Sequence, residues 1–126
     1  MEQQVSEPKV KRILVVEDEV LLAMQLEDLL IEMGHEVVGP AIRIPEALEF
    51  ARQAHFDFAV LDINVAGSQS FPIADILSAR AIPFVFATGY GAEGFPPEYC
   101  DHPTLQKPYE PRELQQAIES ALALSV

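Results

Sequence analysis

The sequence is poor in cysteine, in basic residues and in long apolar runs. A single cysteine, Cys100, rules out an intramolecular disulfide and agrees with a reducing compartment. Eight Lys and Arg stand against twenty Asp and Glu, a formal net charge of -12. That sign opposes binding to nucleic acid through phosphate neutralisation, and it opposes an anionic membrane surface for the same reason. No stretch approaches the roughly 20 apolar residues needed to span a bilayer. The N-terminus carries neither a basic segment nor an apolar one, so the chain reads as cytoplasmic rather than exported. His35, His55 and His102 are scattered, lie in no metal-ligand spacing and read as surface or loop residues. Cys100 reads as inert.

What remains is enough for one core. Hydrophobic residues make up 49% of 126, which suits a single domain. Residues 1–9 are expected to form a flexible tail and residues 10–126 the domain. Along that domain, strand and helix signals alternate. Arg12-Ile13-Leu14-Val15-Val16 and Phe58-Ala59-Val60-Leu61 are short apolar runs of the kind buried in parallel sheets, as is Pro83-Phe84-Val85-Phe86-Ala87. Glu36-Val37-Val38-Gly39 is a weaker strand closed by Pro40, and Thr104-Leu105-Gln106 a short last one. Leu22, Leu26, Leu29, Leu30 and Met33 have helical spacing and end at Gly34, a C-terminal cap. Further helices are expected from Pro45 to about Gln53, from about Phe71 to Arg80 and from Pro111 to Leu124. Between Thr88 and Thr104 three glycines and three prolines fall in fifteen residues, which opposes a regular helix and leaves a loop or short turn. Repeated strand–helix units imply an α/β fold, a parallel sheet covered on both faces.

In such sheets ligands gather beyond the C-terminal ends of the strands. The first strand ends in Glu17-Asp18, the third in Asp62 with Asn64 two residues on, the fourth in Thr88 and the fifth in Lys107. Taken singly, Asp18 or Glu19 reads as a helix N-cap, Asp62 as a turn residue and Lys107 as a solvated lysine. Together, three carboxylates brought close repel unless something neutralises them, and a hard dication such as Mg²⁺ (or Mn²⁺) with oxygen ligands does so. Asp62 would then be a nucleophile beside the metal, with the Lys107 ammonium and the Thr88 hydroxyl gripping a phosphoryl group.

The runs Val15-Val16-Glu17-Asp18-Glu19, Val60-Leu61-Asp62-Ile63-Asn64, Ala87-Thr88-Gly89 and Gln106-Lys107-Pro108 resemble those of the receiver domain of two-component response regulators, from about Lys9 to Leu124. The resemblance implies a flavodoxin-like (βα)5 fold, a doubly wound sheet of strand order 2-1-3-4-5. It implies Asp62 as phosphoacceptor, Asp18 as direct metal ligand, Glu17 as a partner through water, and Asn64 as the donor of a backbone carbonyl. Thr88 and Lys107 become the switch hydroxyl and the phosphoryl-binding lysine. The phosphoryl donor implied is a phosphohistidine on a sensor histidine kinase, and the chain reads as a single-domain regulator acting on an unknown downstream protein.

Two positions depart from the pattern. Glu17 stands where aspartate is commoner, and Thr104 where a switch aromatic is usual. Phe86-Ala87-Thr88-Gly89-Tyr90 is similar to the signature of an atypical subgroup with a replaced fourth helix and HWE-type kinase partners. Tyr90 then either supplies the missing aromatic or packs as an ordinary amphipathic ring. Other functions fit less well. A haloacid-dehalogenase-like phosphohydrolase needs a second aspartate where Asn64 stands, and Asn64 cannot shuttle a proton. An unphosphorylated interaction module would need a broken pocket. Flavin binding would need a phosphate-cradling first loop rather than Glu17-Asp18-Glu19.

Overall fold

In the computed structural model, described over residues 11–89, 95–99 and 101–124, strands and helices alternate along the chain. The expected tail, Tyr90 and Cys100 lie outside the described residues. The main sheet is built from β1 (Arg12–Val16), β2 (Glu36–Ala41), β3 (Phe58–Asp62), β6 (Phe84–Thr88) and β7 (Thr104–Gln106). Its order is β2-β1-β3-β6-β7, all parallel, which is the expected 2-1-3-4-5 when only these five are counted. A two-stranded antiparallel hairpin, β4 (Asn64–Val65) and β5 (Ser68–Gln69), stands apart from it. The helices are α1 (Val20–Glu32), α2 (Ile44–Gln53), α3 (Phe71–Ala79) and α4 (Pro111–Leu124).

The apolar strands are buried on both faces because successive side chains point to opposite sides. Ile13 and Val15 of β1, Phe58 and Val60 of β3, and Val85 and Ala87 of β6 pack with Leu26, Leu30, Leu114 and Ile118 of α1 and α4. Leu14, Val16, Ala59, Leu61, Phe84 and Phe86 face the other way, onto Ala47, Ala51, Ile73, Ala74 and Leu77 of α2 and α3. A one-residue slip in any central strand would exchange these two sets, so the register is strongly specified.

Between β6 and β7 the helical structure among the described residues is one 3₁₀ turn, Pro97–Tyr99. Aromatic rings fill the space there. Phe71, Phe86 and Phe95 meet edge to face with centroids 5.3 to 5.5 Å apart, and Tyr99 stacks on Phe71 at 5.9 Å. Each such pair adds about 1 kcal/mol beyond its buried area.

Two local expectations need correction. Strand β2 does not stop at Pro40 but runs to Ala41, with the register against β1 shifting between Leu14 and Val16. As an edge strand it tolerates a residue without an N–H. Gly39 takes φ +93 at this irregularity, and a Cβ there would lie 2.7 Å from the Ala41 nitrogen. Leu22 is not in the core; it is 36% exposed, and Ala23 at 2% takes the inward place. Leu22 lines an open groove with Leu29, Pro108 and Tyr109 instead.

Candidate phosphoacceptor and metal site

The strand order reverses at β1: the chain steps outward to β2, then returns across β1 to β3. The crevice at this switch point collects the residues that follow β1 and β3. Glu17, Asp18 and Asp62 each offer a carboxylate oxygen, and these three atoms lie within 4.8 Å of one another. A cleft of about 490 Å³ opens above them, walled by Asp18, Asp62, Asn64, Thr88, Gly89 and Lys107.

Lys107 reaches into this cluster from the end of β7. Its Nζ donates to Glu17 Oε1 at 2.7 Å and to Asp62 Oδ1 at 3.0 Å. Its backbone N–H donates to the Thr88 carbonyl at 2.8 Å, which holds the lysine beside Thr88, itself buried at 5% exposure. Glu17 Oε2 accepts from the Glu19 amide at 3.1 Å. Glu19 occupies the N-cap of α1 without a side-chain capping bond, and Asp18 looks away from the helix toward the hairpin.

That hairpin is not among the strands expected from the sequence. Asn64 pairs with Gln69 and Val65 with Ser68, around a two-residue turn in which Ala66 has φ +54 and Gly67 φ +86. Two positive φ values in a row mark a primed turn, and a glycine at the second place was the available signal. The turn aims the Ala66 amide at Asp18 Oδ2, 2.9 Å away. Asp18 is thereby held from the hairpin, while Lys107 holds both Glu17 and Asp62.

The charges follow from burial and proximity. Burial pushes the Asp62 carboxyl up from 3.8 to about 6; its hydrogen bond to Lys107 opposes this, and Glu17 adds to it. Lys107 is itself disfavoured as a cation by burial, yet its bonds to Glu17 and Asp62 outweigh that and raise it. Tyr109, two residues beyond, is raised by burial, with the Lys107 charge opposing and Glu17 and Asp62 adding. An all-oxygen carboxylate cluster balanced, among the described residues, by one ammonium has the donor set and surplus negative charge that suit Mg²⁺ or Mn²⁺ rather than a soft metal.

Outside the cluster His102 stands in a loop, as expected, and is half-buried there: its ring stacks on Phe84 with centroids 4.2 Å apart, and Nε2 lies 2.8 Å from the Phe84 carbonyl. Burial lowers its pKa, the Phe84 bond opposing. His35, in the loop before β2, is also half-buried and accepts from the Lys11 amide at 3.3 Å through Nδ1, while His55 is exposed. Thr104 turns its hydroxyl to the His102 carbonyl at 3.0 Å.

Comparison with known proteins agrees with this architecture. The regulator PhyR of Methylorubrum extorquens is 33% identical over 114 residues, covering 87% of this chain and 43% of PhyR, so the chain spans less than half of that protein. The solution structure of SdrG from Sphingomonas melonis Fr1 superposes with a TM-score of 0.79 at 39% identity, over 90% of this chain and 97% of SdrG. The receiver domain of the sensor histidine kinase PA1611 of Pseudomonas aeruginosa, solved with a magnesium ion coordinated in its active site cleft, shares the fold (TM-score 0.78, 21% identity, 91% of this chain and 99% of that one). Residues 13–119 match the model of the response regulator receiver domain, and the chain belongs to that family.

Proposed function

We propose that this chain receives a phosphoryl group on Asp62 from a phosphohistidine of a sensor histidine kinase, in a phosphorelay dependent on Mg²⁺ or Mn²⁺. The observation that carries this reading is the Asp62 carboxylate at the mouth of the cleft, with the Lys107 ammonium 3.0 Å away and two further carboxylates beside it. Asp18, Asp62 and the backbone carbonyl of Asn64 would hold the dication, and Glu17 completes the acidic cluster. Bound there, the ion supplies positive charge for the phosphoryl oxygens. The remaining chemistry belongs to the chain. An Asp62 oxygen bonds to phosphorus as the P–N bond of the donor breaks, and the imidazole nitrogen takes up a proton. Lys107 and the Thr88 hydroxyl bind the transferred oxygens.

The role is that of a signalling acceptor rather than an enzyme with turnover on free substrates. An HWE-type kinase is the partner favoured by Phe86-Ala87-Thr88-Gly89 and by the aromatic packing where a fourth helix would lie. A cytoplasmic location and a downstream protein partner follow from the relay role, and a net charge of -12 speaks against nucleic acid or an anionic membrane as that partner. The test is to incubate the protein with Mg²⁺ and phosphoramidate or a phosphorylated kinase. One base-labile phosphoryl adduct per chain, mapping to Asp62 and absent from Asp62→Asn, is expected. Rapid hydrolysis of phosphomonoesters, or no adduct with either donor, would refute the reading.

A further inference from the structure

The geometry points to Glu17 as the positioning residue for Lys107, standing outside the atoms that would grip the dication. This rests on the phosphoacceptor reading above and narrows it. Proximity alone would admit Glu17 as a ligand, since it offers an oxygen within 4.8 Å of one from Asp18 and one from Asp62. Its bonds argue otherwise. Both of its oxygens are engaged, Oε1 by the Lys107 ammonium at 2.7 Å and Oε2 by the Glu19 amide at 3.1 Å. Among the described residues, Asp18 and Asp62 each have a single oxygen so engaged.

The Glu17 carboxylate folds back over its own backbone to the amide two residues on, and from there meets a lysine ninety residues away in sequence. Glu17 is 5% exposed. A buried carboxylate and ammonium in contact neutralise each other, and breaking such a pair strands an uncompensated charge. Turning Glu17 to a metal would do that to Lys107. The Lys107 contact to Glu17 is also the shorter of its two, 2.7 against 3.0 Å. When Asp62 carries a phosphoryl group, Lys107 exchanges Asp62 Oδ1 for a phosphoryl oxygen. Its bond to Glu17 is the pivot that keeps Nζ over the cleft during that exchange.

The test is a double-mutant cycle read first by Mg²⁺ alone. Calorimetric titration of the full chain compares wild type, Glu17→Gln, Lys107→Met and the double variant. Glu17→Gln weakens Mg²⁺ binding because it leaves the ammonium unpaired, and Lys107→Met does not weaken it. The double variant, which deletes the pair, stays within less than about tenfold of wild type. A loss of about tenfold or more in the double variant, as deletion of a ligand demands, would overturn the inference. Should the amide variant melt, Glu17→Met with Lys107→Met is measured in its place, with the same two outcomes. The second readout is labelling of Asp62 by phosphoramidate. Adding Glu17→Gln to Lys107→Met changes the rate by less than about threefold, because the two act as one unit; multiplying effects would refute it. If wild type takes no phosphoryl group the acceptor reading falls, while the Mg²⁺ titrations still decide whether Glu17 serves the lysine or the metal.

Discussion

The Tyr99 hydroxyl donates a hydrogen bond to the Asp75 carboxylate at 2.6 Å, tying the 3₁₀ turn between β6 and β7 to α3. Burial, followed by that bond, pushes the tyrosine up to about 12, so it remains a donor at any working pH. Its ring also stacks on Phe71. Tyr99→Phe keeps the stack and loses the bond, a destabilisation of about 1 kcal/mol. Tyr99→Ala loses both and costs about 3 kcal/mol or more. Urea denaturation monitored by far-ultraviolet circular dichroism measures both; equal losses would show that the bond outweighs the ring.

Asp62 makes the metal-free protein sensitive to pH in an unusual direction. Its folded-state pKa of about 6 lies above the ordinary 3.8. Between those values the folded state binds more protons than the unfolded one, so stability falls as pH rises through that window. The cost is fully present above about pH 6 and absent below the ordinary value. Asp62→Asn removes it; solvent screening of this partly exposed carboxyl cuts the roughly 3 kcal/mol of the full shift, and the variant is expected to be more stable than wild type by about 1 kcal/mol at pH 7, with the gap closing near pH 4. Thermal melts across that range, without divalent ions, give the comparison.

Gly39 occupies a backbone position that a side chain cannot share. At φ +93, a Cβ would sit 2.7 Å from the Ala41 nitrogen and 3.2 Å from the Val15 carbonyl oxygen. Gly39→Ala is expected to cost about 2 kcal/mol or more. The effect should also reach the acidic rim, since the Glu17 amide donates to the Ala41 carbonyl at 3.0 Å. A denaturant midpoint unchanged from wild type would contradict this.

The hairpin can be tested apart from the core. Gly67 has φ +86 with open space around its missing Cβ, so a branched residue there strains the turn without colliding with the domain. In Gly67→Val the Ala66 amide leaves Asp18, and Mg²⁺ affinity falls by about tenfold, as for other losses of a group that orients a ligand. Hydrogen exchange of the β1 and β3 amides should stay as in wild type.

Sequence made the sheet readable because its strands are short apolar runs, and Asp62 and Lys107 fall directly at their ends. The glycines and prolines after Thr88 pointed away from a regular helix, and among the described residues a single 3₁₀ turn stands between β6 and β7. They carried no information on which rings would fill the gap, which depends on distant Phe71 meeting Phe86 and Phe95. Pro40 misled because a proline reads as a strand stop, whereas an edge strand can carry it. The role of Ala66 was invisible for a different reason: a backbone amide acts there, and no residue type advertises that.

Strand β3, which ends in Asp62, is the middle of five, with β1 hydrogen-bonded on one side and β6 on the other. Its last residue therefore has a neighbouring strand end on each flank, so any group that is to react with Asp62 must come in from beyond the strand ends, where the cleft opens.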